Sequence, residues 1–299
     1  MDLSTVFPPM PTPFREGEVD ADAIRFNVRR WMTAGLGGVL ALGTNGEAPL
    51  LDEAESDRVL ETARQEVPRH RVLIAGVGRE STRATIAAAR RAGALGADAV
   101  LVRTPSIYRA HVSPDALSAH YAAVADSSPV PVLLYNFPAS TGVTLTADLV
   151  ASLAVHPNVI GIKQTSTDGA EFAELSGVVP REFAILAGSA PGAYTAFCAG
   201  AIGAIVALAC VLPEPCLMLL QLTRTDRHAE ALALQQHLTP LARTVTTGFG
   251  IPGLKAAMDY AGYRGGEPRA PLSAAGADAL ARIRAAVDAA RAALVSRAS

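Results

Sequence analysis

Lys163 closes the apolar run Val159-Ile160-Gly161-Ile162-Lys163, and Tyr135 closes an earlier one, Leu133-Leu134-Tyr135, ahead of Asn136-Phe137-Pro138. An amine and a phenol at the ends of neighbouring strands pair a nucleophile with a proton carrier. Such a pair suits attack on a carbonyl, with the phenol moving protons to and from the carbinolamine. Strand alternation sets Val159, Gly161 and Lys163 on one face and Ile160 and Ile162 on the other. If the isoleucines meet helices, Lys163 points into a barrel and Gly161 leaves room beside it. Desolvation there favours a neutral amine, the form that attacks carbonyls. The residues alone leave another reading open. The lysine could snorkel to the rim or pair with a carboxylate, and the tyrosine hydroxyl could merely satisfy a buried partner.

Of 26 basic residues only two are lysines, Lys163 and Lys255. In a chain that uses arginine wherever a surface cation serves, a lysine is more often needed as an amine. Lys255, in a helical segment after Gly253, is the internal contrast and is expected on the surface. Gly43-Thr44-Asn45-Gly46-Glu47 follows another apolar run. Its glycines permit a tight turn whose amide groups, with a hydroxyl and a carboxamide, suit a carboxylate ligand. Other constellations fail. Gly76-Val77-Gly78 lacks the third glycine of a dinucleotide fingerprint, and no Walker lysine or G-x-S-x-G elbow is present. The six histidines are scattered without metal-ligand spacing, so no metal is expected.

These residues need elements to position them. Apolar runs at Val6–Pro11, Gly38–Leu42, Val72–Val77, Ala99–Val102, Val130–Tyr135, Val159–Lys163, Ala184–Ala187 and Ala204–Leu208 are rich in Val, Ile and Leu. That is the pattern of parallel strands buried on both faces. Helical segments lie between them. Asp52 with Glu55, Thr82, Ser113-Pro114, Thr146 and Asp168 mark their starts. Eight strands alternating with helices predict an α/β fold, a (β/α)₈ TIM barrel over residues 1–212. After Pro213 only helical patterns remain (Leu217–Leu222, Ala229–Val245, Leu254–Ala261, Ala275–Ser296), predicting a C-terminal helical subdomain over 213–299. In such barrels chemistry sits at the C-terminal ends of the strands.

Composition narrows the classes further. With 50% hydrophobic and 18% charged residues the chain can bury a large core. A net charge of −2 and a pI near 6.3 offer no field for nucleic acid. The uncharged stretch from Phe183 to Pro213 is broken by Gly188-Ser189-Ala190-Pro191-Gly192 and again by Gly200 and Gly203, which argues against a membrane span. The start, Met1-Asp2-Leu3-Ser4, lacks the regions of a signal peptide, so a cytoplasmic location is expected. Cys198, Cys210 and Cys216 lack C-x-x-C spacing and are expected as small buried hydrophobes.

The three motifs in this order, Gly43-Thr44-Asn45-Gly46-Glu47, Tyr135-Asn136-x-Pro138 and Gly161-Ile162-Lys163, resemble the dihydrodipicolinate synthase/N-acetylneuraminate lyase family of class I aldolases from about Phe7 to Leu272. Within it, His156-Pro157-Asn158, Leu186-Ala187-Gly188-Ser189-Ala190 and Phe249-Gly250-Ile251-Pro252-Gly253-Leu254-Lys255 resemble most the 4-hydroxy-2-oxoglutarate aldolases. The resemblance implies that Lys163 forms a Schiff base and Tyr135 is the acid/base. Thr44 would hold the 2-oxo acid's carboxylate with Asn45 and could share in proton relay, while Gly188 and Ile205 line a pyruvate pocket. It also implies a homotetramer and no organic cofactor. The partners are a 2-oxo acid and an aldehyde. Two departures matter. Ser140 stands where dihydrodipicolinate synthases usually place an arginine for the aldehyde's carboxylate, and a serine cannot make that bidentate contact. Ile107 stands where a relay tyrosine usually reaches across a subunit interface, with Tyr108 next to it. Arg109 could contact a distal carboxylate or form an interface ion pair.

The expected reaction is reversible cleavage of a 4-hydroxy-2-oxo acid to pyruvate (or a glyoxylate-type product pair) and an aldehyde. The alternatives are a Schiff-base dehydratase of a sugar-derived 2-keto-3-deoxy acid, a dihydrodipicolinate synthase, and a non-catalytic barrel that binds 2-oxo acids. A phosphosugar isomerase, suggested only by glycines near the last strands, leaves Lys163 without a role.

Overall fold

The eight apolar runs form eight parallel strands in the computed structural model, which describes residues 1–295. They are β1 (Val6–Phe7), β2 (Gly38–Ala41), β3 (Val72–Gly76), β4 (Ala99–Arg103), β5 (Val132–Asn136), β6 (Val159–Gln164), β7 (Ala184–Ala187) and β8 (Gly203–Ile205). Neighbours in sequence are neighbours in the sheet, and β1 pairs with β8. Closure follows between β1 and β2, where Leu40 N donates to Pro8 O (3.0 Å) and Met10 N donates to Leu40 O (2.8 Å). A closed cylinder has no free edge, so short strands suffice.

Strand alternation sorts the apolar side chains into two cores. Phe7, Leu40, Ile74, Leu101, Leu133, Leu186 and Ile205 fill the barrel. Val39, Leu73, Val100, Val102, Leu134, Ile162 and Ile185 face outward into the helical layer. That layer comprises α1 (Ala21–Thr33), α2 (Glu53–Glu66), α3 (Thr82–Ala94), α4 (Pro114–Ser127), α5 (Ala147–Ala154), α6 (Gly169–Val178) and α7 (Ala193–Cys198). Asp52 and Glu55 form a reciprocal capping box at the start of α2, as their spacing predicts. Ser113 accepts from Ala116 N at the start of α4. At α3 the cap is Ser81 rather than Thr82; Thr82 instead places its hydroxyl 2.9 Å from His120 Nδ1.

Strand β6 departs from simple alternation. Val132 pairs with Val159 but Leu133 pairs with Gly161, so β6 carries one extra residue, a β-bulge. The extra residue turns Val159 to the outer core and Ile160 toward the barrel interior. Perfect alternation put them on the reverse faces. Beyond the bulge, Ile162 faces outward and Lys163 is in register with Tyr135. Gly161 is also explained differently. A Cβ there would lie 2.4 Å from Ala184 O, so the glycine permits close approach of β7.

After β8 come α8 (Pro213–Arg224), α9 (His228–Arg243), a π-helical turn (Thr244–Gly248), α10 (Gly250–Tyr260) and α11 (Ala277–Val295). The sequence expectation for the last helix reaches Ser296, which lies outside the described residues. Cys216 and Leu219 of α8 sit beside Val6 of β1. Gln235 of α9 reaches the turn after β7, donating to Ala190 O (3.0 Å) and accepting from Tyr194 N (3.0 Å). The C-terminal helices thereby brace the barrel mouth. No helix among the described residues is long and apolar enough to cross a membrane. Cys210 and Cys216 are buried, but Cys198 is exposed, because the end of α7 turns it outward beside His228 and Tyr194.

Candidate active site

Side chains at the C-terminal ends of β2 and β5 to β8 converge on a small cavity of about 90 Å³. Thr44, Asn45, Tyr135, Lys163, Gly188 and Ile205 all line it, so the folded chain brings six of the sequence-selected residues together. Lys163 is 5% exposed, and its Nζ lies 4.3 Å from the centroid of the Tyr135 ring. Among the described residues Lys163 has no carboxylate within ion-pair distance. The Tyr135 hydroxyl lies 3.5 Å from Thr44 Oγ1, and Phe137 stacks on the tyrosine ring at 5.8 Å between centroids. An amine that lies over an aromatic face and lines the cavity is open to a carbonyl carbon, and a phenol beside it is within reach of the proton traffic.

Asn136 and Gln164, the polar residues that follow the two reactive side chains, are paired with one another. Asn136, next to Tyr135, donates to Gln164 Oε1 (2.9 Å) and to Leu145 O (3.1 Å), and its own Oδ1 accepts from Leu145 N (3.0 Å). Gln164 in turn donates to Glu171 (2.6 Å). This buried network lies behind the strand ends and fixes their spacing. Gly188 has no room for a side chain: a Cβ would lie 2.3 Å from Thr165 Oγ1. Thr246, from the turn between α9 and α10, closes the cavity on one side.

The Gly43–Glu47 turn is held from behind. Glu47 takes a left-handed conformation (φ 55°) and is buried, which is costly for a side-chain-bearing residue unless its surroundings enforce it. They do so through Lys255, whose Nζ lies 2.5 Å from Glu47 Oε1. Lys255 also donates to Thr12 O (2.8 Å) and Glu267 O (2.7 Å), and Arg269 N donates to Glu47 Oε2 (2.8 Å). The surface role expected for Lys255 is therefore corrected. It is 2% exposed, because the turn after α10 and the segment following β1 fold over it. Burial pushes its ammonium below the usual lysine range, against the pull of Glu47.

A larger cavity of about 560 Å³ adjoins the first and shares Thr44 and Tyr135 with it. Ser140, in the single helical turn Pro138–Thr141, lines this larger space. Arg109 lines neither cavity. It sits on an exposed turn, and its guanidinium lies over Gly142. The basic side chains of the larger cavity are Arg79 and Arg103, which the sequence reading passed over. A signal for Arg103 was present: extending the fourth apolar run by one residue makes Arg103 its C-terminal, inward-facing end.

Glu80 ties Arg103 to the following loop. It accepts from Arg103 Nη2 (2.7 Å), Ser106 N (2.9 Å) and Ile107 N (3.0 Å). Burial opposes its charge, but the Ile107 and Ser106 amides and Arg103 prevail and bring its pKa down to about 2. The sign is that of a depressed acid. The stability Glu80 contributes is complete above about pH 4.5, shrinks below it, and is gone once the pH passes about 2. Thermal melts should show wild type ahead of Glu80→Gln at pH 6, with the gap narrowing only below about pH 4.5. A gap that narrows between pH 6 and pH 8 would assign it to another group.

Comparison with known proteins agrees with this geometry. Residues 2–290 match the model of the Dihydrodipicolinate synthetase family. A 4-hydroxy-tetrahydrodipicolinate synthase of Phenylobacterium zucineum is 35% identical over 297 residues, covering 94% of this chain and 95% of that protein. A probable mitochondrial 4-hydroxy-2-oxoglutarate aldolase of Emericella nidulans is 33% identical over 286 residues, covering 93% and 92%. Among solved structures, the 4-hydroxy-tetrahydrodipicolinate synthase of Methylacidiphilum fumariolicum superposes with a TM-score of 0.93 at 27% identity, covering 97% of each chain. An E. coli prophage protein of the dihydrodipicolinic acid synthase family, solved in complex with pyruvate, gives 0.90 at 28% identity and covers 96% of this chain and 98% of its own. With its eight-stranded barrel and a family match over nearly its whole length, the chain belongs to the Dihydrodipicolinate synthetase family and is a lyase of the aldolase type.

Proposed function

We propose that this lyase works through a Schiff base on Lys163 and reversibly cleaves a 4-hydroxy-2-oxo acid, 4-hydroxy-2-oxoglutarate or a close analogue, to pyruvate and an aldehyde. One observation carries the reading. A buried amine, with no carboxylate within ion-pair distance among the described residues, lies 4.3 Å from the ring of a tyrosine whose hydroxyl faces Thr44 of the Gly43–Glu47 turn. In the reaction Lys163 Nζ attacks the C2 ketone to give a carbinolamine. Tyr135 gives its hydroxyl proton to the departing hydroxide, and water and an iminium result. Tyr135 then takes the C4 hydroxyl proton, the C3–C4 bond breaks toward the iminium, and the aldehyde leaves. The remaining enamine is protonated at C3, and water at C2 releases pyruvate and the free amine. Thr44 and Asn45 hold the C1 carboxylate, and Gly188 and Ile205 close around the pyruvate half.

A dihydrodipicolinate synthase has a relative at 35% identity in its favour. Ser140 argues against it, since a hydroxyl is a poor substitute for a guanidinium facing a carboxylate. An assembly of several copies, which the resemblance implies, would cover the exposed Ile107 and Tyr108. The test combines trapping with turnover. Borohydride added with pyruvate should leave a mass gain on Lys163, and 4-hydroxy-2-oxoglutarate should release pyruvate. An active enzyme with unmodified Lys163 would sink the Schiff-base mechanism. A trapped adduct without cleavage of any 4-hydroxy-2-oxo acid would move the assignment to dehydration.

A further inference from the structure

The larger cavity has a basic wall that the Schiff-base chemistry leaves unused. Arg103 is paired in register with Tyr135 on the next strand, and Tyr135 with Lys163 on the one after. Leu101 belongs to the barrel interior while Val100 and Val102 face the helices, so Arg103 projects inward at the level of the reacting amine. Strand spacing of roughly 4.8 Å sets its backbone about 10 Å from that of Lys163, with the tyrosine between them. Its guanidinium remains at the cavity wall, tethered by Glu80. Arg79 reaches the same cavity from the loop after β3. Among the described residues it forms no ion pair, and its one side-chain hydrogen bond is Nη1 to Gly78 O at 3.2 Å. Burial and the neighbouring Arg103 disfavour its charge, and the weaker opposing pull of Glu53 does not offset them. Two guanidiniums face this cavity, and of the two only Arg103 has a carboxylate, that of Glu80, within ion-pair distance among the described residues.

We infer that Arg79 and Arg103 form the binding site for a second carboxylate, the one carried on the aldehyde side of the substrate. The assignment rests on the Schiff-base reading and deepens it: Arg79 and Arg103, rather than Ser140 or Arg109, select an aldehyde half that bears a carboxylate. One end of such a substrate is held at Thr44 and Asn45, its C2 stands over Lys163, and its distal carboxylate spans past Tyr135 into the basic wall. A half-buried guanidinium that has no carboxylate within ion-pair distance among the described residues is poised for this, because the carboxylate supplies the charge-assisted hydrogen bonds it lacks. Arg109, outside both cavities, takes no part.

The discriminating probes are 2-oxoglutarate and 2-oxopentanoate, which have equal chain length and differ in ending in a carboxylate or a methyl. Both are measured as competitors of pyruvate for borohydride trapping on Lys163. Wild type should bind 2-oxoglutarate about tenfold or more tighter, as expected for a charge-assisted contact. Arg79→Met, which breaks no ion pair, should reduce that preference, and Arg79→Met with Arg103→Lys should separate the two contributions. In each variant the preference is read as the ratio of the two acids' competition, so a change in trapping common to both does not register as its loss. Equal competition by the two acids in wild type would overturn the assignment, as would a preference that survives loss of Arg79 and of the Arg103 guanidinium. Failure of pyruvate to be trapped in wild type would overturn the Schiff-base reading itself, and this inference with it.

Discussion

Lys163→Ala should lower pyruvate release from 4-hydroxy-2-oxoglutarate by on the order of a thousandfold or more, since no other group can form the iminium. The only other lysine, Lys255, is occupied by Glu47 and two carbonyl oxygens behind the turn. No rescue from a neighbouring amine is therefore expected, and borohydride should leave the variant unmodified. The fold should not suffer. Lys163 touches the face of Tyr135 and the cavity, so its removal strands no buried charge. Lys163→Met, which keeps most of the aliphatic stem and discards a desolvated amine, should unfold at the same urea concentration as wild type or a higher one. Circular dichroism through a urea titration, run beside the pyruvate assay, checks both halves. Turnover by Lys163→Ala within tenfold of wild type would remove the amine from the mechanism. Equal losses of stability and activity in Lys163→Met would make the residue a structural one.

The barrel was legible because its strands are buried on both faces and so read as continuous Val, Ile and Leu runs, which periodicity can find. Caps at Asp52, Ser113, Thr146 and Asp168 were legible for a local reason: each side chain satisfies amides within a few residues. The site was partly legible. Lys163, Tyr135 and Thr44 terminate strands or follow them directly, and the strand-end rule places such residues at one mouth. The bulge in β6 was hidden, because its cause is the register with β5 and not any residue of β6 alone. Arg103 and Arg109 exchanged significance for a similar reason. Which arginine faces the cavity depends on where β4 ends and on a loop pinned by Glu80, a contact across 23 residues of chain or more. Lys255 was misplaced because a helical pattern shows an amphipathic face but not the segment that later folds over it.

That buried lysine carries the largest stability effect expected in the molecule. Lys255→Met should destabilise the protein by about 3–5 kcal/mol, the cost of leaving a buried partner charge uncompensated. Glu47 is 1% exposed, and without the ammonium its carboxylate keeps only the Arg269 amide among its strong partners. Two carbonyl groups, Thr12 O and Glu267 O, lose their donor in the same step. The consequence should spread to the site, because Glu47 ends the turn that presents Thr44 and Asn45, and its left-handed backbone is held in place by these contacts. A turn so loosened should raise the KM for 2-oxo acids more than it lowers kcat, since the amine and the phenol belong to other strands. Adding Glu47→Gln to Lys255→Met removes the stranded charge and should recover part of the lost stability, which identifies the coupling as ionic. Urea midpoints for the two single variants and the double variant decide the matter. Additive losses would mean that Lys255 and Glu47 act independently, and a single variant as stable as wild type would mean that the pair is only packing.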